Sequence, residues 1–149
     1  MSTVISKGHR FRGSSGHGQS LGLSSSAVGN MAKQVEAGFS FSALEKFLKA
    51  SGLPLGMVAE ILRIPTRTLV RRRAAGKFDF DESERLLRFA TVFEKAVDLF
   101  EGDIDAARNW LMTPKRALGG EAPLPFSRTE IGAREVEALI GRLEHGVFS

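Results

Sequence analysis

Ile64-Pro65-Thr66-Arg67-Thr68-Leu69-Val70-Arg71-Arg72-Arg73-Ala74-Ala75-Gly76 is the stretch on which the fold turns. Pro65 pre-sets a backbone angle suited to the first turn of a helix, and Gly76 is the residue type that ends one. Between residues 63 and 77 stand Arg63, Arg67, Arg71, Arg72, Arg73 and Lys77, with no acidic residue among them. If Leu69 points inward, residues about 200° round the helix face away from it, and those are Arg67 and Arg71. Thr68 lies between them. A solvated helix face ordinarily mixes signs, whereas a run of like charges repels itself unless an anion relieves it.

Working outward, Leu55-Gly56-Met57-Val58-Ala59-Glu60-Ile61-Leu62 follows the break Gly52-Leu53-Pro54 and reads as another short helix. Its Leu55, Val58, Ala59 and Leu62 share one face. Arg63-Ile64-Pro65 is then a tight turn between two short helices, the second strongly basic, and this is the pattern of a helix-turn-helix. Arginine matches the paired acceptors of guanine in the major groove, so Arg67 and Arg71 are expected to contact bases. Arg72 and Arg73 are expected to reach phosphates, assisted by Thr66, Thr68 and Lys77. Neutralising about six phosphates would lower affinity on the order of 10³-fold between 50 and 200 mM salt.

The remainder of the chain predicts an all-α protein. Ser42 and Glu45 have capping-box spacing, with Leu44, Phe47 and Leu48 following at helical intervals. Asp81 and Glu84 have the same spacing and open a long helix through Leu86, Ala90, Phe93, Val97 and Phe100. Gly102 separates off a helix from Asp103 to Met112 that carries Trp110, which is assigned to the scaffold. Thr113-Pro114 starts a short turn ending at Gly119-Gly120, and Pro123 and Pro125 predict an extended linker. Ser127 or Thr129 then caps a last helix whose Val136, Leu139, Ile140 and Leu143 form an apolar stripe. That stripe leaves Arg134, Glu137, Arg142 and Glu144 for another surface. Three segments result: a flexible, basic, Gly/Ser-rich tail over 1–38, the helix-turn-helix domain over 39–101, and a small helical domain over 102–149. A short helix near Met31–Ala37 is allowed, and Met31 is a candidate for the true start of translation.

Composition narrows the function classes. The 149 residues carry net charge +4 and no cysteine, which removes disulfides, thiolate metal sites and Cys nucleophiles. No apolar stretch of signal-peptide length follows Lys7, Arg10 and Arg12, so a cytoplasmic location is expected, with no membrane partner. His9 and His17 form no ligand pair, His145 suits a helix C-terminus, and neither cofactor nor metal is expected. No nucleophile stands beside a plausible base, so the chain is not expected to be an enzyme.

The segment Ile64 to Arg72 resembles the recognition helix of the Xre/MbcA/ParS antitoxins. Trp110-Leu111-Met112-Thr113-Pro114, Ala117-Leu118-Gly119-Gly120, Pro123-Leu124, Gly132 and Val136 through Val147 resemble that family's toxin-binding domain. The resemblance covers about Phe41 to Ser149. It implies an antitoxin that dimerises, packs its C-terminal region against an NAD-consuming RES-domain toxin, and represses its own operon. The toxin surface would then comprise Arg134, Glu137, Arg142 and Glu144, with Val147, Phe148 and Ser149 probing the toxin's cleft. A stand-alone transcriptional regulator with a dimerisation or effector domain is the alternative. A lone helix-turn-helix reads few base pairs, so a homodimer on operator DNA is expected, with Phe89, Phe93, Ala96 and Phe100 as its interface.

Overall fold

The computed structural model describes residues 18–23 and 28–146, and every named element among them is helical. Eight α-helices follow in order: α1 Val28–Ala37, α2 Phe41–Ser51, α3 Leu55–Leu62, α4 Thr66–Ala75, α5 Phe80–Leu99, α6 Ile104–Met112, α7 Pro123–Phe126 and α8 Glu130–Glu144. The chain divides into a compact unit over residues 16–91 and another that includes residues 92–149. The division falls inside α5, earlier than the change of texture at Gly102.

The first unit closes on Phe47, Phe89, Leu44, Val58, Leu62 and Leu86, each at most 2% exposed. Phe47 and Phe89 meet edge to face at 5.5 Å, a geometry that aromatic quadrupoles favour. Part of the segment expected to be a flexible tail belongs to this core. Leu21, in a helical turn over Gln19–Leu21, packs against α2, and Met31 and Val35 of α1 are buried. These apolar residues supply the burial that offsets the entropy of ordering their segment. The rest of the expected tail, residues 1–17 and 24–27, lies outside the described residues. A start at Met31 would remove the first turn of α1.

Two further expectations are corrected. The helix after the basic stretch begins at Phe80, and its capping box is Asp79 with Glu82. The Glu82 amide donates to Asp79 Oδ1 at 2.8 Å, and the Asp79 amide donates to Glu82 Oε1 at 3.0 Å. Phe78 is 2% exposed and stacks on Phe41 at 5.2 Å, so burial of Phe78 places the helix start two residues before the expected Asp81–Glu84 box. Phe89, Phe93 and Ala96, expected to form a dimer face, are at most 1% exposed within the single chain and have no surface left to offer a second copy.

In the second unit, Phe93, Val97, Ala107, Leu111, Leu124, Val136 and Ile140 form the core. Pro123-Leu124-Pro125-Phe126 is a short helix, not the expected extended linker: Pro123 occupies a first-turn position, where its missing N–H is no loss. Asp103 caps α6 through the Ala106 amide at 3.1 Å. Thr129, rather than Ser127, caps α8 through the Gly132 amide at 3.0 Å. Gly132 is required by packing, because a Cβ there would collide with the Phe126 carbonyl.

Candidate nucleic-acid and partner surfaces

Helix α4 is fixed in place at both ends. Arg63, between α3 and α4, adopts the left-handed conformation at φ 59°, which lets the Ile64 amide return to the Ala59 carbonyl at 3.0 Å. Arg85 on α5 donates from Nε to the Leu62 carbonyl at 2.7 Å, satisfying an end group of α3. Beyond α4, the Gly76 carbonyl accepts from the Phe41 amide and the Phe39 carbonyl from the Phe78 amide, both at 2.9 Å. Gly38, at φ +91°, allows that close approach, since a Cβ would meet the Phe78 carbonyl.

On α4, Leu69 is buried, while Thr66, Arg67, Val70, Arg71, Arg73 and Ala74 are exposed and Thr68 is half-buried. The expected outward direction of Arg67 and Arg71 is therefore the one in the structure. Among the described residues, no carboxylate lies within ion-pair distance of Arg67, Arg71, Arg73 or Lys77. Arg71 approaches only Thr68 Oγ1, at 3.4 Å, and Arg73 lies 5.2 Å over the Phe41 ring. Lys77 is exposed beside Gly76.

Arg72 is placed differently from its expected role as a phosphate ligand. Its Nε and Nη2 donate to Glu82 Oε1 and Oε2 at 2.7 and 3.0 Å, and Nη2 reaches Asp79 Oδ2 at 3.2 Å. The hydrogen bond that Arg72 donates to Glu82 raises the Arg72 pKa above its usual value, against a smaller opposing effect of burial. A bidentate pair of this kind fixes orientation as well as charge. Glu82 thus caps α5 and holds α4 with one carboxylate. Sequence reasoning did not single out Glu82, although Asp79-x-x-Glu82 carries the capping-box spacing that marks it.

In the unit over 92–149, two of the four described residues expected to meet a partner are paired internally. Arg134 joins Glu130 at 2.7 Å, and Glu137 accepts from Lys95 Nζ at 3.1 Å. Arg142 and Glu144 are exposed near the end of α8. Burial, then the nearby charge of Glu144, pushes the Asp98 carboxyl above its ordinary value. Among the described residues, Ile131 and Met112 are the exposed large apolar side chains of this unit, at 75% and 39%. Val147, Phe148 and Ser149 lie outside the described residues.

Trp110 is partly buried 6.4 Å from Phe100, with Lys115 Nζ 4.9 Å from its ring centre. Burial lowers the Lys115 pKa. The loop after Lys115 closes by amide-to-carbonyl bonds from Lys115 to Glu121 and from Gly120 to Lys115, at 3.1 and 2.9 Å. Arg128 braces it through Glu121 Oε2 at 2.7 Å. Among the described residues there is no His, Cys, Asp or Glu group able to hold a metal ion, and no helix is long and apolar enough to cross a membrane.

Residues 30–90 match the Antitoxin Xre-like helix-turn-helix domain, and residues 95–146 match the Antitoxin Xre/MbcA/ParS C-terminal toxin-binding domain. The chain is 42% identical over 130 residues to Antitoxin Xre of Yersinia enterocolitica, covering 87% of this chain and 88% of the relative. It is 38% identical over 132 residues to Antitoxin Xre of Photorhabdus laumondii, covering 88% and 89% respectively. A more distant relative, 25% identical over 124 residues and covering 77% and 78%, is a Prs ADP-ribosylating antitoxin of Sphingobium. Both halves of the molecule thus find counterparts in one group of proteins, and the chain belongs to the Xre antitoxin family, with a helix-turn-helix domain followed by a toxin-binding domain.

Proposed function

We propose that this chain binds and inhibits a RES-domain toxin that consumes NAD, and represses its own operon as a homodimer on operator DNA. The observation that carries the reading is the match of residues 95–146 to a toxin-binding domain beside a helix-turn-helix domain. The name of the Sphingobium relative is compatible with it, since ADP-ribosyl transfer uses NAD as donor. On the DNA side, Arg67 and Arg71 read bases, with Thr66, Thr68, Arg73 and Lys77 at the backbone. Arg72 serves by holding α4. On the toxin side, Arg142 and Glu144 offer unpaired charge, Arg134 and Glu137 act within their ion pairs, and Val147, Phe148 and Ser149 enter the toxin's cleft. Operator binding places this work in the cytoplasm, and the chain itself performs no chemistry.

Co-expression with the product of the neighbouring gene tests the reading. The chain is expected to restore growth, hold NAD levels up and co-elute with that product. Removal of residues 146–149 is expected to weaken neutralisation while folding and operator binding persist. A chain that binds its operator but rescues neither growth nor NAD would be a stand-alone regulator instead.

A further inference from the structure

Val70 has no partner that explains it. It is 64% exposed on α4, one residue from buried Leu69, on a helix whose other large exposed side chains are arginines. A β-branched residue costs helix stability relative to alanine, so an exposed helix position gains nothing from valine unless the side chain touches something. Val70 stands three residues after Arg67 and one before Arg71, and both arginines face outward without a carboxylate among the described residues. What approaches that surface is selected by charge to be a polyanion. The apolar group that a polyanionic duplex displays in its major groove is the thymine 5-methyl.

We infer that Val70 is a specificity-determining residue that packs on a thymine methyl in the operator half-site. This rests on the DNA-binding reading above and adds the identity of a base. Side chains at i and i+3 have Cβ atoms about 5–6 Å apart, and successive base pairs rise about 3.4 Å. The thymine therefore lies one or two base pairs from the guanine that Arg67 reads.

The test uses the full chain and a pool of random-sequence duplexes carried through rounds of binding. In the duplex that emerges, each thymine is replaced in turn by uracil, which removes only the methyl group. Each guanine is replaced by 7-deazaguanine, which removes the N7 acceptor. Binding of the native chain should weaken about fourfold, the weight of one buried methyl, at a single thymine in each half-site. That thymine should lie within two base pairs of a guanine whose N7 matters to the native chain and not to Arg67→Ala. Val70→Ala, on a face where it disturbs no packing, should bind thymine and uracil duplexes alike. Specific binding with no uracil effect, or with the same effect in Val70→Ala, overturns the assignment of Val70 and leaves DNA binding standing. A pool that yields no enriched sequence overturns the DNA-binding reading itself.

Discussion

On α4, Arg67 and Arg71 face outward with no carboxylate within ion-pair distance among the described residues. On α8, Arg134 closes on Glu130 at 2.7 Å and Glu137 takes Lys95 at 3.1 Å. Both helices bury one stripe and display charge on the other side, yet α4 leaves Arg67, Arg71 and Arg73 without a carboxylate among the described residues, whereas on α8 Arg134 is paired and Arg142 is not. Unanswered like charge raises the free energy of the isolated chain and lowers it again when phosphates arrive. Surface pairs like those on α8 are worth about 0–1 kcal/mol and have little charge to offer a partner. Beside these pairs α8 exposes Ile131, at 75%. Arg72 is the exception on α4, and it is an instructive one. It lies in the same basic run, yet it acts through Glu82 to hold the helix.

The largest test of this contrast is Glu82→Ala. It removes the Glu82 half of the α5 capping box and leaves Arg72 without its bidentate partner, and it should cost about 2–4 kcal/mol of stability in chemical denaturation. An unchanged denaturation midpoint would mean that the Arg72–Glu82 pair carries no weight. Next come Arg67→Ala and Arg71→Ala, each expected to cost about 1–3 kcal/mol in operator affinity with folding unchanged. Equal losses on random DNA would make both of them phosphate contacts. On α8, Gly141 sits in the helix interior with nothing within 4 Å of where a Cβ would be. Gly141→Ala should therefore stabilise by about 0.5–1 kcal/mol, whereas Gly132→Ala should destabilise against the Phe126 carbonyl. Two losses, or two gains, would show that the local packing around α8 has been misjudged.

The smallest effect concerns Asp98. The folded chain holds its proton more tightly than the unfolded chain, first through burial and then through Glu144. Its contribution to stability is thus full below the ordinary carboxylate range and lost as pH rises through the raised value. At pH 7 the charged form is a liability. Asp98→Asn should raise the melting temperature slightly at pH 7, with the gain fading toward about pH 3. A gain that persists unchanged at low pH would break the argument.

Much of the fold was legible because local rules and burial agreed. Pro65, Gly76 and Leu69 suffice to bound α4 and to aim Arg67 and Arg71 outward. Where two local solutions competed, tertiary burial decided. Asp79–Glu82 and Asp81–Glu84 offer the same capping spacing, and burial of Phe78 selects the first. Pro123 and Pro125 suggest an extended linker until Pro123 is seen in the first turn of a helix. Phe89 and Ala96 lie off the stripe through Leu86, Ala90, Phe93 and Val97, but α5 buries more than one face. Arg72 was indistinguishable from its neighbours along the chain, because its partner lies ten positions later, across the turn at Gly76.

Trp110 is the chain's only tryptophan, and the chain contains no tyrosine. Light absorbed at the red edge of the indole band is consequently emitted from one place, the unit over 92–149, beside Phe100 and under the Lys115 ammonium. The molecule has a built-in optical label. Melting of the packing around Phe100 and Lys115 registers in the emission directly.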